Sequence, residues 1–248
     1  MRGIDLDCIK RWPWDLRFVK TQTYEMCIEA LKRDGLLLKE VRWDELSLSE
    51  KQIFNLYIIA VRQNGFALMY VKNQTEELCR EAVMQNGLAL EYVDKQTQEI
   101  CLETVKENGL ALRYVKKQTP EICLEAVEQD KFAIRYVKWS KLEGKFSEEQ
   151  TDEICRKSLK QNKLAIKYII NKEKYLKEFN IKYLKEQDDA KEVIVIKEAG
   201  EWLFTIGCQS NITKKEFIYR IYNTNGGFDP EKGINVHRQI YLDFLKEF

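Results

Sequence analysis

Histidine occurs once in this chain of 248 residues, proline three times and glycine eleven times. A single histidine, with no clustered Cys or spaced acidic partners, leaves no metal-ligand set, so neither a metal nor a cofactor is expected. The few prolines and glycines argue against linkers and disordered tracts. No apolar run approaches the ~20 residues of a membrane span, so a membrane is not expected as a partner. An excess of one charge is missing too. Lys+Arg number 41 against 40 Asp+Glu, a formal net charge of +1. That balance exerts no general pull towards nucleic acid or acidic lipid, and any charge argument has to be local. The opening MRGIDLDCIKRWPW is too polar for a secretory signal and shows no small-residue cleavage site.

What is present reads as a soluble, globular chain: 44% hydrophobic and 33% charged residues, with enough length for a sizeable core. Its main feature is a refrain. QNGFALMYVKNQTEELCREAVMQNG is followed by QNGLALEYVDKQTQEICLETVKENG and by ENGLALRYVKKQTPEICLEAVEQD. Units start at Trp14, Leu36, Phe66, Leu88, Leu110, Phe132 and Leu164, a period of 22 with insertions of 8 in the second unit and 10 in the sixth.

Each unit predicts two short helices. In the fifth, Leu110, Ala111, Tyr114 and Val115 share one face at about 100° per residue. Gln118-Thr119-Pro120 then resets the chain, with Thr119 as N-cap and Pro120 at the first helical position. The second helix carries the stripe Ile122, Cys123, Ala126 and Val127. Asn64-Gly65, Asn86-Gly87 and Asn108-Gly109 are expected to end these helices through a left-handed glycine. Helices this short are marginal alone and become stable when stacked, which is the logic of an α-solenoid. Cys27, Cys79, Cys101, Cys123 and Cys155 recur at one repeat position. They read as small core hydrophobes, too far apart to bridge, in a reduced, cytoplasmic protein.

The run AVxQNGxALxYV, seen at Ala82–Val93 and in looser form at Ala60–Val71 and Ala126–Val137, resembles an uncharacterised helical repeat family, domain of unknown function 4116. The resemblance extends over roughly residues 14–170. It implies the repeat architecture and no chemistry.

After Ile170 the refrain stops. NKEKYLKEFNIKYLKEQDDAK reads as a charged helical cap. EVIVIKEAGEWLFTIGC alternates like two strands around Ala199-Gly200, a hairpin signal. ITKKEFIYRIY opens with Thr213 and Glu216 in capping-box spacing, NTNGGFDPEKG is a turn-rich loop, and INVHRQIYLDFLKEF is an amphipathic helix. The expected fold is therefore mainly α: an α-solenoid of ~22-residue two-helix repeats over residues 1–191, then a small α+β module over 192–248, a hairpin plus two helices.

Candidate sites follow from the outward positions. Arg17/Lys20, Lys39/Arg42, Met69/Lys72, Glu91/Asp94, Arg113/Lys116 and Arg135/Lys138 would stack into a mostly basic ridge interrupted by one acidic unit. The second helices carry an acidic column, Glu25/Glu29, Glu77/Glu81, Glu99/Glu103 and Glu121/Glu125. Surface charge ladders usually do little beyond solubility, and exchange of ion pairs between them is the plainer reading. The column Phe18, Tyr70, Tyr92, Tyr114, Tyr136 and Tyr168 could offer a stacking platform for bases, but reads better as core edge, with the tyrosine hydroxyls reaching water. Both insertions open with tryptophan, Trp43 and Trp139, on one edge of the stack. Tryptophan is the residue most enriched in binding hot spots, so this edge is a candidate interface unless each indole only folds its own loop back. His237 and Cys208 are the residues a base–nucleophile pair would need, and nothing in the pattern brings them together.

The function expected is non-enzymatic: a scaffold or inhibitor that binds a protein partner, of the kind a mobile-element or conflict-system protein would use. Trp43, Trp139, Arg113, Lys116, Arg135 and Lys138 are the expected partner-binding residues. The alternatives are nucleic-acid binding along the basic ridge and an enzyme in the C-terminal module.

Overall fold

A computed structural model describes residues 5–139, 146–187, 190–223, 228–229 and 234–248. By packing, the chain divides into two compact units, residues 1–154 and 155–248. The first holds helical repeats, and the second contains a small antiparallel sheet with helices. No helix among the described residues is long and apolar enough to cross a membrane.

In the first unit α1 (Leu6–Arg11) precedes an alternation of 3₁₀ and α elements. The α-helices are α2 (Tyr24–Arg33), α3 (Glu50–Gln63), α4 (Glu76–Gln85), α5 (Gln98–Glu107) and α6 (Pro120–Gln129). Between them lie 3₁₀ helices at Pro13–Phe18, Gly35–Glu40, Gly65–Tyr70, Gly87–Tyr92, Gly109–Tyr114 and Ala133–Tyr136. Consecutive α-helices from α1 to α6 pack on one another, and so do consecutive 3₁₀ helices.

The α-helices form as their sequences predict. Thr23, Thr75, Thr97 and Thr119 each accept a hydrogen bond from the backbone N–H three residues on. Ile122, Cys123, Ala126 and Val127 are all buried. At ~1.5–3 kcal/mol per buried large aliphatic, such stripes are the main stabilising term. Both insertions lengthen the next α-helix. α3 and α7 (Glu148–Gln161) have 14 residues where α4 to α6 have 10. Ser49 with Gln52, and Ser147 with Gln150, make reciprocal N-terminal bonds that start them.

The first element of each unit is a 3₁₀ helix, not the α-helix expected. With three residues per turn the buried set moves. In the fifth unit Ala111, Leu112 and Val115 are buried, while Leu110 and Tyr114 are only half-buried. The stripe read at 100° per residue missed Leu112.

The glycines also work differently from expectation. Gly65, Gly87 and Gly109 do not adopt positive φ. The stop is made by the asparagine, whose extended backbone closes the α-helix and whose side chain opens the 3₁₀ helix: Asn108 Oδ1 accepts from Leu110 N–H at 3.1 Å. Glycine is required because the next unit's helix passes so close. A Cβ on Gly109 would stand 2.4 Å from the Ala126 carbonyl oxygen, and one on Gly65 2.3 Å from that of Ala82.

A glutamine ladder joins the units. Gln118 Nε2 donates to Leu112 O (3.1 Å) and Tyr136 O (2.9 Å), while its Oε1 accepts from Lys138 N–H (2.9 Å) and faces the Cys123 thiol (3.7 Å). Gln96 and Gln22 repeat the pattern, and Gln74 repeats most of it. A second glutamine closes each tight approach, as when Gln129 Oε1 accepts from Gly109 N–H at 2.7 Å.

In the second unit a 3₁₀ helix, Lys163–Tyr168, and α8 (Glu173–Glu178) lead into a sheet of order β1-β2-β3-β4, all antiparallel. Its strands are β1 (Ile181–Leu184), β2 (Val193–Glu198), β3 (Glu201–Ile206) and β4 (Gln209–Thr213). Strand β1 lies within the stretch expected to be a helical cap. Asn180, at φ 53°, ends α8, and Ile181 to Leu184 then pair with β2. In this unit α8 packs on β1, and the 3₁₀ helix Lys163–Tyr168 lies against β2. The hairpin turn falls at Ala199-Gly200 as expected, with φ of 48° and 89°.

Thr213 caps α9 (Lys214–Asn223) by accepting from Glu216 N–H, but the Glu216 carboxylate pairs with Arg220 instead of reaching back. Short strands β5 (Phe228–Asp229) and β6 (Ile234–Asn235) pair before α10 (Val236–Phe244), and the rest of the turn-rich loop lies outside the described residues. Val193, Val195, Phe204, Phe217 and Phe244 centre the core, with Phe204 and Phe217 stacked at 4.8 Å.

Candidate functional site

Several large apolar side chains open to solvent lie on or beside the 3₁₀ helices, while Met84, 79% exposed, stands on α4. In a 3₁₀ turn residues i and i+3 eclipse, so positions one and four of a unit stand together on its outer side. These pairs include Trp14/Arg17, Phe66/Met69, Leu110/Arg113 and Phe132/Arg135. Trp14 is 53% exposed, Phe18 63%, Met69 45% and Phe132 44%. Together with the half-buried tyrosines at position five of the stacked units, they give this side of the repeats an aromatic face. Tyr70, Tyr92, Tyr114 and Tyr136 sit half-buried along it, as expected for the core edge, whereas Phe18, expected there too, is open to solvent. Phe66 meets Tyr92 edge-on at 5.9 Å. Trp14, Arg17, Leu36 and Lys39 line a cleft of about 220 Å³ in the first two units, floored by buried Leu37.

The basic ridge separates into two kinds of cation. Arg42, Lys116 and Lys138, all at position seven, reach back to the preceding unit. Lys116 Nζ donates to Val93 O (2.8 Å) and Asp94 O (3.1 Å), Lys138 Nζ to Val115 O (2.6 Å), and an Arg42 guanidinium nitrogen to Val19 O (2.7 Å). The extended residue after each 3₁₀ turn leaves carbonyls without helical partners, and the next unit's cation supplies them. Arg113 and Arg135, at position four, remain exposed and lie over aromatic rings. The acidic column of the α-helices exchanges ion pairs with arginines: Arg62 Nε meets Glu81 at 2.9 Å, and Arg80 contacts Glu76, Glu99 and Glu103.

The two tryptophans of the insertions are half-buried. The Trp43 ring packs against Tyr57 at 5.1 Å, and a short 3₁₀ turn, Trp43–Glu45, holds it beside an Arg42–Glu45 pair at 2.8 Å. Residues 140–145, which follow Trp139, lie outside the described residues.

Chemistry-bearing residues fall elsewhere. Cys27, Cys79, Cys101, Cys123 and Cys155 are buried and outside any disulfide. Burial pushes the Cys123 thiol up to about 12, against a smaller opposing pull from Lys138. The Cys101 thiol is likewise raised by burial to about 11. Thiols held protonated in this way are poor nucleophiles. Cys208 is exposed in the turn between β3 and β4, whereas His237 is buried near the start of α10. In the second unit Tyr183 Oη donates to Glu192 at 2.8 Å, and Lys172 Nζ lies 3.3 Å from the same hydroxyl. Burial lowers the Lys172 pKa, opposed by Glu192. No group of His, Cys, Asp and Glu able to hold a metal occurs among the described residues.

Sequence reasoning missed the exposed aromatics and the glutamine ladder. Trp14, Phe66 and Phe132 stand where other units have leucine, at a position read as core, and a three-residue period would have turned that position outward. Gln22, Gln74, Gln96 and Gln118 recur as faithfully as the cysteines, and that recurrence was the available signal.

These features define a helical-repeat protein with an aromatic 3₁₀ face, followed by a small α+β unit. Residues 54–98 and 97–140 each match the family model Domain of unknown function (DUF4116), about two 22-residue units per match. No curated protein and no solved structure matches the chain.

Proposed function

We propose that this is a non-enzymatic protein-interaction module, a scaffold or an inhibitor, whose 3₁₀ face receives a protein partner. The observation that carries this reading is the exposure of Trp14, Phe18, Met69 and Phe132 on or beside 3₁₀ helices that stack consecutively. Exposed apolar patches of this kind mark interaction sites, and aromatics dominate interface energetics. With its indole spent on Tyr57, Trp43 contributes less than the face does. Buried, reduced cysteines support a cytosolic setting.

The test uses the full chain, affinity-tagged and expressed in its native cells, beside a Trp14→Ser, Phe18→Ser, Phe132→Ser variant. The variant should keep its far-ultraviolet circular dichroism and lose the partner that the wild type captures. Recovery of the same partner at the same yield by the variant would refute the reading. Tight binding to an unrelated oligonucleotide, weakening steeply with salt, would favour a nucleic-acid ligand instead.

A further inference from the structure

In the fifth and sixth units three cations lie on the aromatic face without carboxylate partners among the described residues. The Arg113 guanidinium is 4.9 Å from the centre of the Tyr114 ring and 5.9 Å from that of Tyr136. Arg135 lies 4.8 Å from the same Tyr136 ring and 6.0 Å from Phe132. Lys131 stands 5.2 Å from Phe132. All three cations are exposed. The contrast with Arg62 and Arg80, both taken up by glutamates, is direct.

We propose that this patch clamps an extended acidic peptide segment of a protein partner, one carboxylate on Arg113 and a second on Arg135. The proposal rests on the interaction reading above and names the chemistry of the ligand. A guanidinium lying over an aromatic ring keeps its N–H edge free, and that edge matches a carboxylate bidentately. The ring also holds the side chain in place, so less conformational freedom is lost on binding. Sharing Tyr136 limits the spacing. The two cations are no farther apart than the sum of their distances to that ring, about 11 Å. An extended peptide rises ~3.3 Å per residue, so acidic residues two or three apart reach both. Exposed Phe132 offers an apolar contact to a side chain between them. A single-stranded nucleic acid fits less well. Arginines already cover the Tyr114 and Tyr136 rings that bases would need for stacking.

Fluorescence anisotropy on the full chain tests this. The probes are a labelled peptide of four Glu-Ser-Leu triplets, its Gln-Ser-Leu counterpart, and an oligothymidine of similar length. The glutamate peptide should bind and the glutamine peptide should not. Arg113→Gln with Arg135→Gln should weaken binding at least about tenfold with the fold intact. Arg113→Lys with Arg135→Lys should weaken it several-fold, because charge is kept and the planar fork lost. The proposal is overturned if the glutamate peptide fails to bind at low salt, or if the double Gln variant binds it within about twofold of wild type. Oligothymidine binding as tight as the peptide and lost with the same arginines would overturn it too. Partner capture that survives the double Gln variant, yet fails in the Trp14, Phe18, Phe132 variant, removes the clamp and leaves the interaction module standing.

Discussion

Replacing Gln118 by methionine keeps the side chain's length and removes every polar atom. The structure sets the cost. Gln118 is 9% exposed and serves the carbonyls of Leu112 and Tyr136, the Lys138 N–H and the Cys123 thiol. Methionine orphans three backbone groups in a confined site. At about 1 kcal/mol each, the low end for buried polar groups because two of the three bonds are only partly buried, the loss is about 3 kcal/mol. For a unit of this size that lowers the melting temperature by roughly 6–12 °C. Gln129→Met is the internal control. Gln129 is exposed and makes two such bonds, to Gly109 N–H and Glu107 O, so its loss should stay near 1 kcal/mol. Urea denaturation of the full chain, followed by far-ultraviolet circular dichroism, reads both. A Gln118→Met protein within about 1 kcal/mol of wild type would refute the claim that the ladder joins the units.

Two more substitutions separate kinds of strain and of titration. Gly109→Ala puts a methyl 2.4 Å from the Ala126 carbonyl oxygen and should cost about 2–3 kcal/mol, whereas Gly200→Ala, with open space around it and φ of 89°, should cost about 1 kcal/mol. Equal losses in thermal melts would discredit the close-approach explanation. The Cys123 thiol, raised from 9.0 to about 12, holds its proton in the folded state while the unfolded chain gives it up. The folded state therefore binds more protons, and this thiol's contribution to stability is full below about 9 and declines as pH rises through about 12. Cys123→Ala should flatten the fall in urea midpoint above pH 9, and an unchanged slope would count against the assignment.

The sequence by itself determined the period, the capped α-helices with their stripes, the hairpin turn and the inert cysteines, because each follows from residues within one unit. Thr119 and Pro120 start a helix whatever surrounds them, and a stripe such as Ile122, Cys123, Ala126 and Val127 needs only a 3.6-residue period to be read. Tertiary structure decided what depends on a neighbour. The close passage of the next α-helix makes Gly109 obligatory and goes with a 3₁₀ turn that exchanges Leu110 for Leu112 in the core. Orphaned carbonyls of the preceding unit engage Lys116 and Lys138 and leave Arg113 and Arg135 over the aromatic rings. A list of outward positions treats those four cations alike, because the distinction between them lies in the spacing between units.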